Sequence, residues 1–368
     1  MKIRVFLFAM LTALLAGPGV HPCSRVVFQG RDSLTVVGRT LDWRTPIPTN
    51  LYVYPRGMQK SGVPSGNTLH WTSKYGSVLA VSYDGGVTEG MNEMGLVMNS
   101  LFCKGTVYTT SHDDRLPVMS LAVLISYFLD NFATVAEVEK WLAETPFAIY
   151  GQSFDGGTAA ALHWAVTDPS GMTLVMEYQD GKLNTYASRD YRVLTNDPPF
   201  ERMLAIDEYW KQIGGEHMLP GTVRSADRFA RASFFIDHIP ADADYRTAAA
   251  AVFSVLGTVS VPLGYTVEGE PNLSSTQWRS VADTKNRIYY FGFASQFAAF
   301  WIDLKDLDLT PGAPVLKLDT SKETGPQPTS RTGCLRATRR RSERTTNAAG
   351  DAPGTAIPTE TNSWPTRR

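Results

Sequence analysis

Cysteine is scarce: the 368 residues hold three, Cys23, Cys103 and Cys334. In a secreted chain so few exclude a dense disulfide framework, and the odd count leaves at least one thiol free or paired between chains. A charge excess is missing too. With 35 Lys+Arg against 36 Asp+Glu and a formal net charge of −1, no overall field favours nucleic acid or an acidic membrane surface. Beyond the N-terminal segment no run approaches the ~18 apolar residues that a membrane-spanning helix needs. No metal-ligand array and no glycine-rich phosphate loop occurs, so the sequence implies no cofactor. The six histidines sit in no recognised Cys-His protease context. His163, between Leu162 and Trp164, reads as a packed core histidine.

What is present begins with a secretory signal over residues 1–22. Lys2 and Arg4 form its positive start, Val5 to Ala16 its apolar stretch, and Ala16, Gly17 and Gly19 a small-residue end. The mature protein is therefore expected to be exported, to the periplasm of a Gram-negative cell, with no stable membrane anchor. Short segments rich in β-branched and aromatic residues follow: Arg25 to Phe28, Ser33 to Val37, Leu51 to Tyr54 and Ser77 to Tyr83. Apolar residues at helical spacing predict a helix from about Pro117 to Leu142, within which Thr134 and Glu137 form a capping box. Strands return at Ala160 to Thr167, Thr173 to Tyr178 and Leu183 to Tyr186, around turns at Asp168-Pro-Ser-Gly171 and Asp180-Gly181. Helices are expected at about Glu201 to Trp210 and Ser225 to Phe235, then strands at Gln277 to Ala282, Arg287 to Phe293 and Phe300 to Leu304. Hairpins mixed with helices, without a βαβ rhythm, predict an α+β fold of packed antiparallel sheets with helices outside. One folded domain is expected over residues 23–318. From 319 to 368 large apolar residues almost vanish, which predicts a disordered tail whose Arg336-Ala-Thr-Arg-Arg-Arg341 cluster is a solvated run. Cys103, after Leu101-Phe102, reads as a buried structural thiol.

Cys23 carries the chemistry. It falls just beyond the signal and opens a strand. A nucleophilic cysteine needs a base, and an N-terminal cysteine has its own: an α-amino group with a pKa of about 7.7–8.0 can take the thiol proton. No histidine is then required.

Gly38-Arg-Thr-Leu-Asp-Trp43, downstream of Cys23, resembles the Gly-Arg-x-x-Asp-Trp element of choloylglycine hydrolases and penicillin V acylases. Further matches follow in family order: Met91-Asn-Glu-Met-Gly-Leu96, Leu194-Thr-Asn196 before Pro198-Pro-Phe200, and Ala226-Asp-Arg-Phe-Ala-Arg231. The resemblance runs to about Leu318. It is strongest to the Gram-negative branch in Asn50-Leu-Tyr-Val-Tyr-Pro-Arg-Gly57 and Trp71-Thr-Ser-Lys-Tyr-Gly76. It implies an N-terminal-nucleophile hydrolase, an αββα sandwich of two antiparallel sheets between helices, in which Cys23 is the nucleophile. Arg39 then favours the thiolate and Asp42 holds the terminal ammonium. Asn196 and the backbone N–H of Phe102 form the oxyanion hole, and Arg228 completes the polar network. The resemblance also implies a homo-oligomer, commonly a tetramer, and a linear, non-peptide amide as the small-molecule substrate.

Trp43 and Phe102 are candidates to line an acyl pocket, with core packing the alternative for each. Such a pocket suits penicillin V or long-chain N-acyl homoserine lactones better than a conjugated bile salt, which remains the alternative substrate. His21-Pro22 is a poor signal-peptidase junction, so cleavage near Gly19 and removal of the remnant by attack of Cys23 on its own preceding bond is expected. Two non-catalytic readings compete: an exported ligand-binding lipoprotein acylated at Cys23, and an inactive relative kept as an interaction protein. Val20-His-Pro22 lacks the small residue a lipoprotein signal places before its cysteine.

Overall fold

The computed structural model describes residues 22–109, 115–151, 153–154, 158–266 and 274–320. The expected signal up to residue 21, and the tail from residue 321 with Cys334 and the arginine cluster, lie outside the described residues. The strands of the two large sheets are, in chain order, β1 (Cys23–Gln29), β2 (Thr35–Trp43), β3 (Thr49–Tyr54), β4 (Ser77–Ser82), β5 (Gly86–Asn92), β6 (Val97–Phe102), β7 (Leu162–Thr167), β8 (Thr173–Gln179), β9 (Lys182–Ser188), β10 (Val193–Leu194), β11 (Ser275–Asp283), β12 (Ile288–Phe293), β13 (Phe300–Asp303) and β14 (Leu316–Leu318). The α-helices among the described residues are α1 (Leu124–Asn131), α2 (Val135–Glu144), α3 (Phe200–Ile213), α4 (Ser225–Asp237) and α5 (Tyr245–Val259).

Six strands form one sheet in the order β10-β1-β2-β11-β12-β13, and eight form the other, β9-β8-β7-β6-β5-β4-β3-β14. Every pairing in both is antiparallel. Because successive side chains in a strand point to opposite faces, each central strand feeds two cores. Val26 and Phe28 of β1 and Val36 of β2 pack with Val252 and Leu256 of α5. Val27, Val37, Val78, Ala80 and Val97 instead meet Trp278 and Phe291 between the sheets. Leu79, Val81 and Met98 turn outward against Leu129 and Phe128 of α1. Each fully buried aliphatic side chain contributes roughly 1.5–3 kcal/mol. α1 and α2 thus cover the eight-stranded sheet, and α4 and α5 the six-stranded one. This is the expected four-layer αββα sandwich.

Residues in two of the recognised sequence blocks hold the fold. Asn92 holds the β5–β6 turn, its Oδ1 accepting from the N–H groups of Met94 and Leu96 and its Nδ2 donating to the carbonyls of Leu129 and Phe132. Gly95 in that turn has φ +86, and a Cβ there would lie 2.4 Å from the Thr284 carbonyl. Gly38 lets α5 lie directly on β2, since a Cβ would meet Val252 Cγ1 at 2.4 Å.

The structure corrects the helix expected from Pro117 to Leu142. Val118–Ser120 is a short strand, paired in parallel with Ala148–Tyr150. Helix begins only at Leu124 and breaks before Thr134, where the capping box with Glu137 is present in both directions. The strand expected from Ser33 starts at Thr35, because Asp32 and Ser33 take positive φ in the preceding turn. β5, β6 and α5 are present without having been predicted.

Candidate active site

The site forms at the start of β1. The β1–β2 register sets Cys23 opposite Leu41, Ser24 opposite Thr40 and Arg25 opposite Arg39. This pairing brings Arg39 and Asp42 beside a cysteine many residues earlier. Cys23 is buried, and its Sγ lies 3.9 Å from the Asp42 carbonyl oxygen. Burial pushes the thiol pKa up, and among the charges that work against this Arg39 is foremost, with Arg228 adding to it.

Asn196 and Arg228 reach the cysteine from the segment after β10 and from α4. The Cys23 N–H donates to Asn196 Oδ1 at 2.7 Å, and Arg228 Nη2 donates to the same oxygen at 2.6 Å. Arg228 Nη1 also donates to the Cys23 carbonyl at 2.5 Å and to Ser24 Oγ at 2.6 Å, and Nε to the Val223 carbonyl at 2.9 Å. Burial lowers its pKa to about 10, opposed first by Asp42. Of these five hydrogen bonds, those on the Cys23 nitrogen and carbonyl hold the main chain on both sides of its side chain.

Two expected contacts differ in the chain that still continues into Pro22. There the Cys23 nitrogen is an amide with a single hydrogen, which goes to Asn196 rather than to Asp42. Asp42 Oδ2 accepts from Thr40 Oγ1 at 3.1 Å, while Oδ1 is buried without a hydrogen-bond partner. Burial raises the Asp42 pKa to about 6 against the opposing pull of Arg228. The Asn196 amide also bridges: Nδ2 donates to the Phe102 carbonyl at 2.7 Å, which uses one of its two hydrogens.

Arg39 points between the sheets, where Nη2 donates to the Ser100 carbonyl at 2.6 Å and Nη1 lies 3.3 Å from Glu89 Oε2. Its guanidinium stacks on Trp278 at 4.7 Å. Glu89 is fully buried and is met by donors alone: Arg39, Asn99 Nδ2 at 3.2 Å, and the hydroxyls of Ser280 and Tyr289. Arg25, equally buried, donates to Asn99 Oδ1 at 2.7 Å and to Thr167 Oγ1 at 2.6 Å. Sequence reasoning missed Glu89 and Arg25. An isolated Glu within a strand gives no signal until the two sheets are stacked.

Cys23, Arg39 and Asp42 line a cavity of about 590 Å³ whose walls include Trp43, Phe102, Leu41, Val87 and Leu162. Trp43 and Phe102 meet edge to face with ring centroids 6.1 Å apart. Both candidate pocket residues thus reach the cavity. Cys103 and His163 are buried as expected. Among the described residues no helix is long and apolar enough to cross a membrane.

The family described as linear amide C-N hydrolases, choloylglycine hydrolase family, matches residues 23–323. A penicillin V acylase of Pectobacterium atrosepticum is 38% identical over 332 residues, 84% of this chain and 88% of the relative. The solved structure of a penicillin V acylase from Agrobacterium tumefaciens superposes with a TM-score of 0.75 at 45% identity, covering 81% of this chain and 91% of that one. A conjugated bile acid hydrolase from Clostridium perfringens shares the fold, with a TM-score of 0.68 at 22% identity over 80% of this chain and 96% of that one. The chain belongs to the choloylglycine hydrolase family of linear amide C-N hydrolases, and is an amidohydrolase acting on linear amides.

Proposed function

We propose that residues 1–22 are removed and that Cys23, as the new N-terminus, hydrolyses linear amides with a compact apolar acyl group, penicillin V being the best candidate. The observation that carries the reading is the convergence of Arg39, Asp42, Asn196 and Arg228 on Cys23 at the wall of an apolar cavity. The family match that begins at residue 23 supports it.

The steps follow from the groups in place. The Cys23 α-amine takes the thiol proton and becomes an ammonium, whose additional hydrogens give Asp42 Oδ1 the partner it lacks in the unprocessed chain. The thiolate adds to the amide carbon. The second hydrogen of Asn196 Nδ2, with the Phe102 N–H, stabilises the oxyanion, each donor contributing about 3 kcal/mol. The C–N bond breaks as the ammonium passes its proton to the departing amine, leaving a thioester on Sγ. Water, deprotonated by the same amine, then releases the acid and regenerates the thiol.

Trp43, Phe102, Leu41 and Leu162 form the wall an acyl chain would pack on. That favours the phenoxyacetyl group of penicillin V, and the acyl chains of N-acyl homoserine lactones, over a conjugated bile salt. Bile salt hydrolysis is the second reading, favoured by the 25% identity over 297 residues to a bile salt hydrolase/transferase of Clostridium perfringens. Export to the periplasm and assembly into a homotetramer belong to the same proposal. Amine release from penicillin V and glycocholate, measured side by side on protein shown to begin at Cys23, is the test. Faster release from penicillin V supports the acyl-pocket reading, and faster release from glycocholate overturns it.

A further inference from the structure

Behind the two oxyanion donors lies a buried cluster with no place in the reaction described so far. Cys103 Sγ, a His163 ring nitrogen and a Glu177 oxygen all lie within 4.8 Å of one another. The donor set would suit zinc, but the imidazole has no lone pair to offer. Its Nδ1 is 2.7 Å from Glu177 Oε1 and its Nε2 is 2.8 Å from the Thr195 carbonyl. A carbonyl oxygen and an ionised carboxylate can only accept, so the ring donates from both nitrogens. Burial opposes that charged ring, yet Cys103 and Glu177 outweigh it and raise its pKa to about 10.

What this dyad grips is the segment that carries Asn196. His163 on β7 binds the Thr195 carbonyl, and Glu177 on β8 uses its other oxygen to accept the Phe200 N–H at 2.9 Å. Both ends of the 195–200 segment, which lies between β10 and α3 and holds Asn196 and the cis Asp197–Pro198 bond, are therefore pinned to one cross-strand pair. Cys103, against the same ring, directly follows Phe102, whose carbonyl receives Asn196 Nδ2. The segment is held elsewhere too: Ser225 Oγ bonds Asn196 N at 2.8 Å and Thr195 Oγ1 at 2.8 Å, the Cys23 N–H and Arg228 Nη2 donate to Asn196 Oδ1, and Cys103 Sγ lies 4.0 Å from Asp197 Oδ1. Those contacts tie Asn196 to α4 and β1, and the dyad ties its segment to β8 and to β7, the strand paired with Phe102.

We propose that His163 is a positioning residue for the hydrolysis: by bridging Glu177 and the Thr195 carbonyl it holds the Asn196 amide in line with the carbonyl under attack. The proposal rests on Asn196 being an oxyanion donor. A misplacement of about 1 Å at a reacting centre costs on the order of 100-fold in rate, and a residue acting through Asn196 loses its effect once Asn196 is gone.

The test is a double-mutant cycle on the mature enzyme with penicillin V as the probe amide. His163→Leu is expected to lower kcat by about 10- to 100-fold with KM changed less than about threefold. In the Asn196→Ala background the same change is expected to cost less than about threefold more. Glu177→Gln can keep the bridge, with its amide donating to Nδ1, its oxygen accepting from Phe200 N–H, and the ring still donating to Thr195; kcat within about threefold of wild type is expected. If His163→Leu does not fold, His163→Gln replaces it, since an amide with both polar atoms at one end cannot span Glu177 and Thr195. Full multiplication of the two losses in the double variant overturns the proposal, as does a Glu177→Gln loss equal to that of His163→Leu. An Asn196→Ala enzyme as fast as wild type removes the oxyanion reading itself and the proposal with it.

Discussion

Asn196 does two things at once, and two substitutions separate them. Its Oδ1 accepts from the Cys23 nitrogen and from Arg228, while Nδ2 donates to Phe102 and, in the proposed reaction, to the oxyanion. Asn196→Ala deletes both roles. The donor loss costs about 100- to 1,000-fold in kcat. Stripping a buried guanidinium of one acceptor and the Phe102 carbonyl of its donor adds about 1–3 kcal/mol of lost stability, at about 2–4 °C of Tm per kcal/mol for a domain of this size. The fold is thus not left untouched, contrary to what the oxyanion role alone suggests. Asn196→Asp keeps the shared acceptor for Cys23 and Arg228 but sets a carboxylate oxygen against the Phe102 carbonyl where the donor was. It should lose kcat at least as much as the alanine variant, and its Tm should fall as well, since oxygen faces oxygen where the Phe102 bond was. Amine release under saturating substrate and a thermal melt of the same samples decide the matter. An Asn196→Asp enzyme turning over within about fivefold of wild type would refute the assignment of Nδ2 to the oxyanion.

Three further outcomes are expected. Glu89→Gln turns an NH2 toward a site surrounded by donors and uncouples Arg39, so stability should fall by about 3–5 kcal/mol in urea unfolding; a loss below about 1 kcal/mol would mean the inter-sheet charges do not depend on Glu89. Gly38→Ala forces Val252 and α5 off β2, costing about 1–3 kcal/mol, and an unchanged Tm would show that the close approach is not required. His163 has a folded pKa raised to about 10 from 6.5. Its pairing therefore stabilises fully below pH 6.5 and is lost as pH rises toward 10, and the His163→Gln/Glu177→Gln double variant should unfold with a flatter pH dependence across that window.

How far the sequence disclosed this arrangement depends on the distance over which each feature is written. The β1–β2 hairpin is local, so Cys23, Arg39 and Asp42 could be placed together from the motif. Asn196 and Arg228 reach Cys23 across 173 and 205 positions, and nothing in periodicity points to them; resemblance did. The strand at Val118–Ser120 merged with the apolar pattern of α1 because its partner, Ala148–Tyr150, is parallel and remote. α5 did carry a signal that was passed over: Asp244 caps Arg246 and Thr247, and Ala248, Val252, Val255, Leu256 and Val259 form a buried stripe. The His163–Glu177 pair was also within reach. The turn at Asp168-Pro-Ser-Gly171 sets Trp164 opposite Met176, and one more step along the ladder places His163 beside Glu177. What no local pattern could give is the carbonyl on the ring's other side.

The central claim is that Cys23 acts as an N-terminal nucleophile, and intact-mass analysis of the purified enzyme before and during a short incubation with penicillin V tests it most directly. The account predicts a chain whose first residue is Cys23, a transient gain of one acyl group on that residue, and no gain in Cys23→Ala. A fully active protein that retains residues ahead of Cys23, or one whose acyl group sits elsewhere, would contradict it.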